Sequence, residues 1–148
     1  MRTSTKTVAS LADTNILVYC FDHRYPAKLE VAREWMERGM VDGSVKIAHQ
    51  SILEFVAVVI RPRRERDPLF TLPEARRKAE EFLADYEILY PNESTVRTAL
   101  QGAEKHHLSW YDAHLWAYAE TNGLAEILSE DFSHNQLYGN VRIVNPFA

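Results

Sequence analysis

Residues 7–21 read TVASLADTNILVYCF. The first six are short, apolar and β-compatible, and they stop at Asp13. Ile16–Phe21 is apolar again and suits a helix entered through a turn. A strand, a turn that carries an acid, then a helix is the opening of an alternating fold.

The rest of the chain repeats that grammar. Pro26 opens a helix reaching about Gly39, with Leu29, Ala32, Trp35 and Met36 on one stripe, since proline suits a first turn and glycine an end. Val45–Ala48 reads as a second strand. Ile52–Ile60 is apolar at every position except Glu54. Its length favours a helix, and Leu53, Val56, Ala57 and Ile60 match a helical stripe. Arg61–Asp67 (RPRRERD) is a polar surface loop or helix end. Thr71-Leu72-Pro73-Glu74 has the form of a capping box that opens a helix to about Tyr86. Glu87–Tyr90 is a third strand. Val96, Ala99, Leu100 and Ala103 mark another helix, and a last one runs from Ser109 to Asn122-Gly123. Glu126–Leu128 and Val141–Val144 complete about five strands. Strands alternating with helices predict an α/β fold on a mostly parallel sheet covered on both faces.

Composition narrows the class. The 148 residues suit one domain with a real core. Apolar residues at 46% and charged ones at 26% are globular proportions. A net charge of −4 argues against a protein held to nucleic acid by bulk charge, though not against one whose charge is local. The single cysteine, Cys20, permits no internal disulfide and fits a reducing cytoplasm. No apolar run approaches a membrane span. Arg2 and Lys6 ahead of Val8–Ala12 imitate a secretion signal, but the stretch is short and Asp13 interrupts it.

Four acids stand inside or directly against apolar segments: Asp13, Glu54, Asp112 and Asp131. A carboxylate taken out of water is costly unless paired, hydrogen-bonded or bound to a cation. Each also has a plainer account. Asp13 heads Asp-Thr-Asn and can cap a helix. Glu54 can reach solvent or Arg61. Asp112 completes a Ser-x-x-Asp cap, while sharing an inward stripe with Leu115, Trp116 and Ala119. Asp131 can be a loop acid, and spacing leaves open whether it or Glu130 points inward. Together the four suggest one cation site. In an open α/β sheet ligands gather beyond the carboxyl ends of the strands, and Asp13 and Asp131 both follow predicted strands.

Hard oxygen donors suit Mg²⁺ or Mn²⁺, which keep several waters and bind phosphate oxygens. Neither HExxH nor CxxC occurs, which argues against zinc, and the adjacent His106-His107 reads as a solvated helix end. Both Gly-rich phosphate fingerprints are absent. Arg61, Arg63, Arg64 and Arg66 against Glu65 make a basic cluster that is either a solvated loop or a phosphate-tracking patch. Tyr19, Trp110, Tyr111 and Trp116 can stack bases or simply pack.

Taken in order, Asp13-Thr14-Asn15, Glu54 in QSILEFVAVVIR, Asp112 in SWYDAHLWA, Asp131 in ILSEDF and the ending VRIVNPF resemble a PIN-domain ribonuclease, most closely a VapC-type toxin. The resemblance covers nearly the whole chain. It implies one three-layer α/β/α sandwich spanning 1–148, with residues 1–6 as a flexible tail. It implies that Asp13, Glu54, Asp112 and Asp131 converge on Mg²⁺ or Mn²⁺. Asp13 and Asp112 would be the direct ligands, and Glu54 and Asp131 would act through water, hold a second ion or orient the attacking water. Thr14, Asn15 and Ser129 would position the carboxylates. The implied reaction is endonucleolytic cleavage of RNA, the implied partners a VapB-type antitoxin and a second copy of the chain. The competing reading is a PIN-like module that binds RNA or protein without turnover. A phosphohydrolase would want an acid where Asn15 stands, and a receiver domain an acidic pair and a late Lys, neither of which is evident.

Overall fold

The computed structural model describes residues 8–148. The expected tail at 1–6 and the first residue of the expected opening strand, Thr7, lie outside them. The elements are β1 (Ser10–Ala12), α1 (Thr14–Tyr19), α2 (Pro26–Asp42), β2 (Val45–Ala48), α3 (His49–Val59), α4 (Leu72–Asp85), β3 (Glu87–Leu89), α5 (Glu93–His106), α6 (Trp110–Thr121), β4 (Glu126–Leu128), β5 (Leu137–Tyr138) and β6 (Val141–Val144).

They form an α/β/α sandwich on one sheet with strand order β3-β2-β1-β4-β6-β5. Every pairing is parallel except β5 with β6. Ala12 lies level with Ile47 on one side and Leu128 on the other, so three strand ends share one edge. Side-chain alternation splits the core in two. Ala12, Ile47 and Leu128 face a layer built with α1 to α4. Leu11, Ile127 and Ile143 face α5 and α6.

Most helix ends obey the local chemistry. Both bonds of the Thr71–Glu74 capping box form, and Ser109 accepts from the Asp112 backbone N–H. Four expectations need correction. Gly39 does not end α2. The helix continues to Asp42 and stops at Gly43, whose φ of 73° is the left-handed cap glycine tolerates. Gly39 is interior because β2 packs on it: a Cβ there would lie 2.0 Å from Val45 Cγ2.

The α3 stripe is also displaced. Ser51, Ile52, Phe55 and Val59 are buried, whereas Leu53 is 59% exposed and Ala57 is exposed. In a segment apolar at nearly every position, hydrophobicity carries no phase. The phase follows the bulkiest side chain, Phe55, which packs edge-on to Phe82 with ring centres 5.2 Å apart. In α5 the buried face is Thr95, Ala99 and Gly102, leaving Val96 and Leu100 exposed. Close approach to α6 selects small residues over large apolar ones there.

The sheet has six strands rather than five. Tyr138 pairs with Val141 across Gly139-Asn140, a two-residue hairpin turn in which Gly139 adopts φ 57°. Among the described residues no helix is long and apolar enough to cross a membrane.

Candidate functional site

Asp13 leaves β1 at its carboxyl end and is buried. Its backbone N–H continues the ladder to Leu128 C=O at 2.9 Å, which fixes it beside the end of β4. The capping role and an inward carboxylate coexist. Oδ1 accepts from the Thr14 backbone N–H at 2.6 Å, and Oδ2 accepts from Ser129 Oγ at 2.6 Å. Ser129 follows β4 and is fully buried. Its hydroxyl oxygen also accepts from the Asp131 backbone N–H at 3.1 Å, which bends the loop after β4 back toward Asp13.

Asn15 ties the two aspartates together. Its Nδ2 donates to Asp131 Oδ2 at 3.0 Å and reaches Ser129 Oγ at 3.3 Å. Its Oδ1 is buried without a partner among the described residues. Glu54, on the outward side of α3, accepts from Thr14 Oγ1 at 2.9 Å and from Gln50 Nε2 at 2.9 Å. The alternative pairing of Glu54 with Arg61 does not occur among the described residues. Gln50 also donates to Tyr111 C=O at 3.2 Å, linking α3 to the first turn of α6, where Asp112 sits. Asp112 joins no hydrogen bond to the other acids among the described residues, but its carboxyl feels both Asp131 and Glu54.

The charges of the cluster leave a clear mark. Burial pushes the Asp13 carboxyl from its usual 3.8 up to about 7. The hydrogen bonds from Ser129 and Thr14 pull it down, while the negative charges of Asp131 and Glu54 push it up again. Asp112 is raised in the same way, first by burial, with Ser109 opposing and Asp131 and Glu54 adding to it. Asp13 and Asp112 therefore share the same two charged neighbours. Thr14, Asn15, Glu54 and Asp131 line one depression of about 380 Å³ at this edge. Among the described residues, no three acidic or histidine side chains already meet at metal-ligand distance.

The open choice between Glu130 and Asp131 resolves by contact. Asp131 turns toward Asn15, while Glu130 accepts from Lys28 Nζ at 2.8 Å and from Tyr19 Oη, away from the cluster. Arg61, Arg63 and Arg64 border a second depression that shares Val18, Asp22, Arg24 and Val58 with the first. Trp116 is core, its indole N–H donating to Tyr138 C=O at 2.9 Å, whereas Trp110 and Tyr111 are exposed beside the acids' edge. Gln50 and Asp22 carry contacts that sequence reading did not single out. Asp22 had a signal, an acid two residues from Arg24 after an apolar segment, and Gln50 had none.

The PIN domain family model matches residues 11–140. No curated protein sequence matches the chain. Among solved structures, a toxin–antitoxin complex from Klebsiella pneumoniae superposes with a TM-score of 0.67 at 17% identity, over 93% of this chain and 98% of that one. DNA-bound VapBC from Salmonella typhimurium gives 0.68 at 14%, over 93% and 97%. VapC20 of Mycobacterium tuberculosis, described as a toxin cleaving the sarcin–ricin loop, gives 0.62 at 15%, over 90% and 99%. At such identities the likeness is one of fold. The family-model match, over most of the chain, places the protein in the PIN domain family.

Proposed function

We propose that this protein is a divalent-cation-dependent endoribonuclease, the toxin of a VapBC-type pair. The observation that carries the reading is Asp13. It is a buried carboxylate tied to Ser129, and Glu54 and Asp131 both act on it electrostatically. Folding gains nothing from such a concentration of negative charge, and a cation would relieve it.

The donors suit Mg²⁺ or Mn²⁺. All are oxygens, the excess charge is negative, and an ion that retains several waters does not require three carboxylates in direct contact. Asp13 and Asp112 are the proposed direct ligands. Glu54 and Asp131 act through water, and Thr14, Asn15 and Ser129 hold the carboxylates in position. The bound ion would supply an acidified water and offset charge on the phosphodiester during in-line attack. Arg61, Arg63 and Arg64 bind backbone phosphates, a local basic strip on a chain of net charge −4.

The partners follow from the same reading. A VapB-type antitoxin blocks the acidic edge, and a second copy of the chain covers exposed apolar residues such as Val96 and Leu100, one helical turn apart on α5. The site of action is the cytoplasm.

The test is cleavage of total RNA with Mg²⁺ or Mn²⁺, with the new ends mapped, for wild type, Asp13→Asn and Asp112→Asn. Cleavage confined to wild type and lost with EDTA is the expected result. Equal cleavage by both variants would overturn the ligand assignment. RNA bound tightly and never cut, across metals and substrates, would favour the non-catalytic module instead.

A further inference from the structure

The acidic depression does not end at the acids. It runs into the arginine-lined one through a shared waist, and Arg24 stands at that waist. Its side chain is 40% exposed, yet its orientation is fixed. Asp22, 2% exposed, accepts from Arg24 Nε at 2.9 Å and from Arg24 Nη2 at 2.7 Å, and also from the Arg24 backbone N–H at 3.1 Å. One face of the guanidinium lies toward the Tyr25 ring, 5.4 Å from its centre.

A guanidinium has five N–H donors in a planar fork. Asp22 uses one on Nε and one on Nη2 along the side edge. Among the described residues Nη1 has no hydrogen-bond partner, so the end edge of Nη1 and Nη2 is free. That edge matches two oxygens of a phosphate. A lysine cannot serve both edges at once, because its ammonium is a point charge without a fixed fork. The Asp22 turn needs only the backbone N–H of residue 24, which any residue but proline supplies. Pairing with Asp22, a carboxylate held out of water, accounts for a cation at this position, but not for a fork whose second edge is left open.

We propose that Arg24, locked by Asp22, is a phosphate clamp. It holds a non-scissile phosphate of the RNA backbone midway between the acidic site and Arg61, Arg63 and Arg64. The clamp rests on the endoribonuclease reading and adds to it a path for the strand. The RNA crosses the waist over Arg24, and the guanidinium is oriented before the strand arrives.

Arg24→Gln, Arg24→Lys and Asp22→Asn test this on the full chain, with Mn²⁺ and a fluorescent single-stranded RNA that the wild type cleaves. Thermal melting sets equal folded fractions. Arg24→Gln is expected to raise KM roughly tenfold, the loss of a charge-assisted pair, with kcat nearly unchanged. Its log–log salt slope should shrink by about 0.7, the loss of one single-strand phosphate contact. Arg24→Lys should raise KM while keeping the slope, because charge remains and the fork does not. Asp22→Asn should raise KM with the slope kept, because the guanidinium is present but no longer aimed. Unchanged KM and slope in Arg24→Gln, with at most a lower melting temperature, overturns the clamp and leaves the nuclease reading standing. A wild type that neither binds nor cleaves any RNA overturns both.

Discussion

Ser129 Oγ donates to Asp13 Oδ2 at 2.6 Å across the carboxyl ends of two adjacent parallel strands. The contact joins residues far apart in sequence and gives a buried carboxylate one of its two close donors. Ser129→Ala removes that donor and leaves Asp13 short of a partner. At pH 8 the cost to stability is expected to be about 1–3 kcal/mol. Mn²⁺ affinity should fall roughly 10–100-fold, as when a group that orients a ligand is lost. Urea unfolding and a Mn²⁺ titration check the two effects separately. Unaltered affinity would remove Ser129 from the site.

The metal-free protein should become less stable as pH rises. Asp13 has a folded pKa of about 7 against an ordinary 3.8, so the native state binds its proton more tightly than the unfolded chain does. Stability is then highest below about pH 4 for this group and declines through pH 4–7. The full decline is about 4 kcal/mol as an upper figure. Asp112 shifts in the same direction. Urea midpoints in EDTA across this range should fall with pH, and Asp13→Asn should flatten the curve. Added Mn²⁺ should stabilise far more at pH 8 than at pH 5. A flat wild-type profile would contradict the buried charge.

The fold was legible where chemistry acts locally. The Thr71–Glu74 box, the Ser109 cap and the short buried strands each carry a signal within a few residues. Asp13 and Asp131 were legible as neighbours because parallel strands must end on one edge. The face of α3 was not, because its pattern is nearly uniform and only tertiary packing of Phe55 sets it. Gly39 and Gly102 look like helix stops or weak points, yet both are close-approach positions visible only in three dimensions. The Gly139-Asn140 hairpin did have a local signal, but its strand is two residues long. Glu130 and Asp131 differ only in which partner each reaches, which no spacing reports.

That difference makes a sharp comparison. Glu130→Gln loses an ion pair with Lys28, whose side chain is 37% exposed, and should cost only about 0.2–1 kcal/mol of stability. Its RNA cleavage should stay near wild type. Asp131→Asn should lower cleavage about 10–100-fold with little change in melting. Single-turnover rates of the two variants side by side decide it. An equal loss in both would place Glu130 in the site after all.

The α5–α6 contact can be tested through Gly102. A Cβ added there would lie 2.2 Å from Trp116 Cζ3. Gly102→Ala gains about 1 kcal/mol of helix propensity, but displacing a packed indole costs roughly 1–3 kcal/mol or more. Trp116 also holds Tyr138 C=O, so the β5–β6 hairpin should loosen with it. A net fall in melting temperature with faster amide exchange at Tyr138 is expected. A more stable variant would show that α6 can give way.

The proposed activity requires one divalent ion held among Asp13, Glu54, Asp112 and Asp131. Calorimetric titration of Mn²⁺ into the protein at pH 7, in two buffers of different ionisation heat, tests it most directly. The predicted result is saturable binding with proton release, since Asp13 is partly protonated at that pH without metal. Asp13→Asn and Asp112→Asn should each abolish it while remaining folded. Binding of equal strength in the Asp13→Asn, Asp112→Asn double variant would contradict the account.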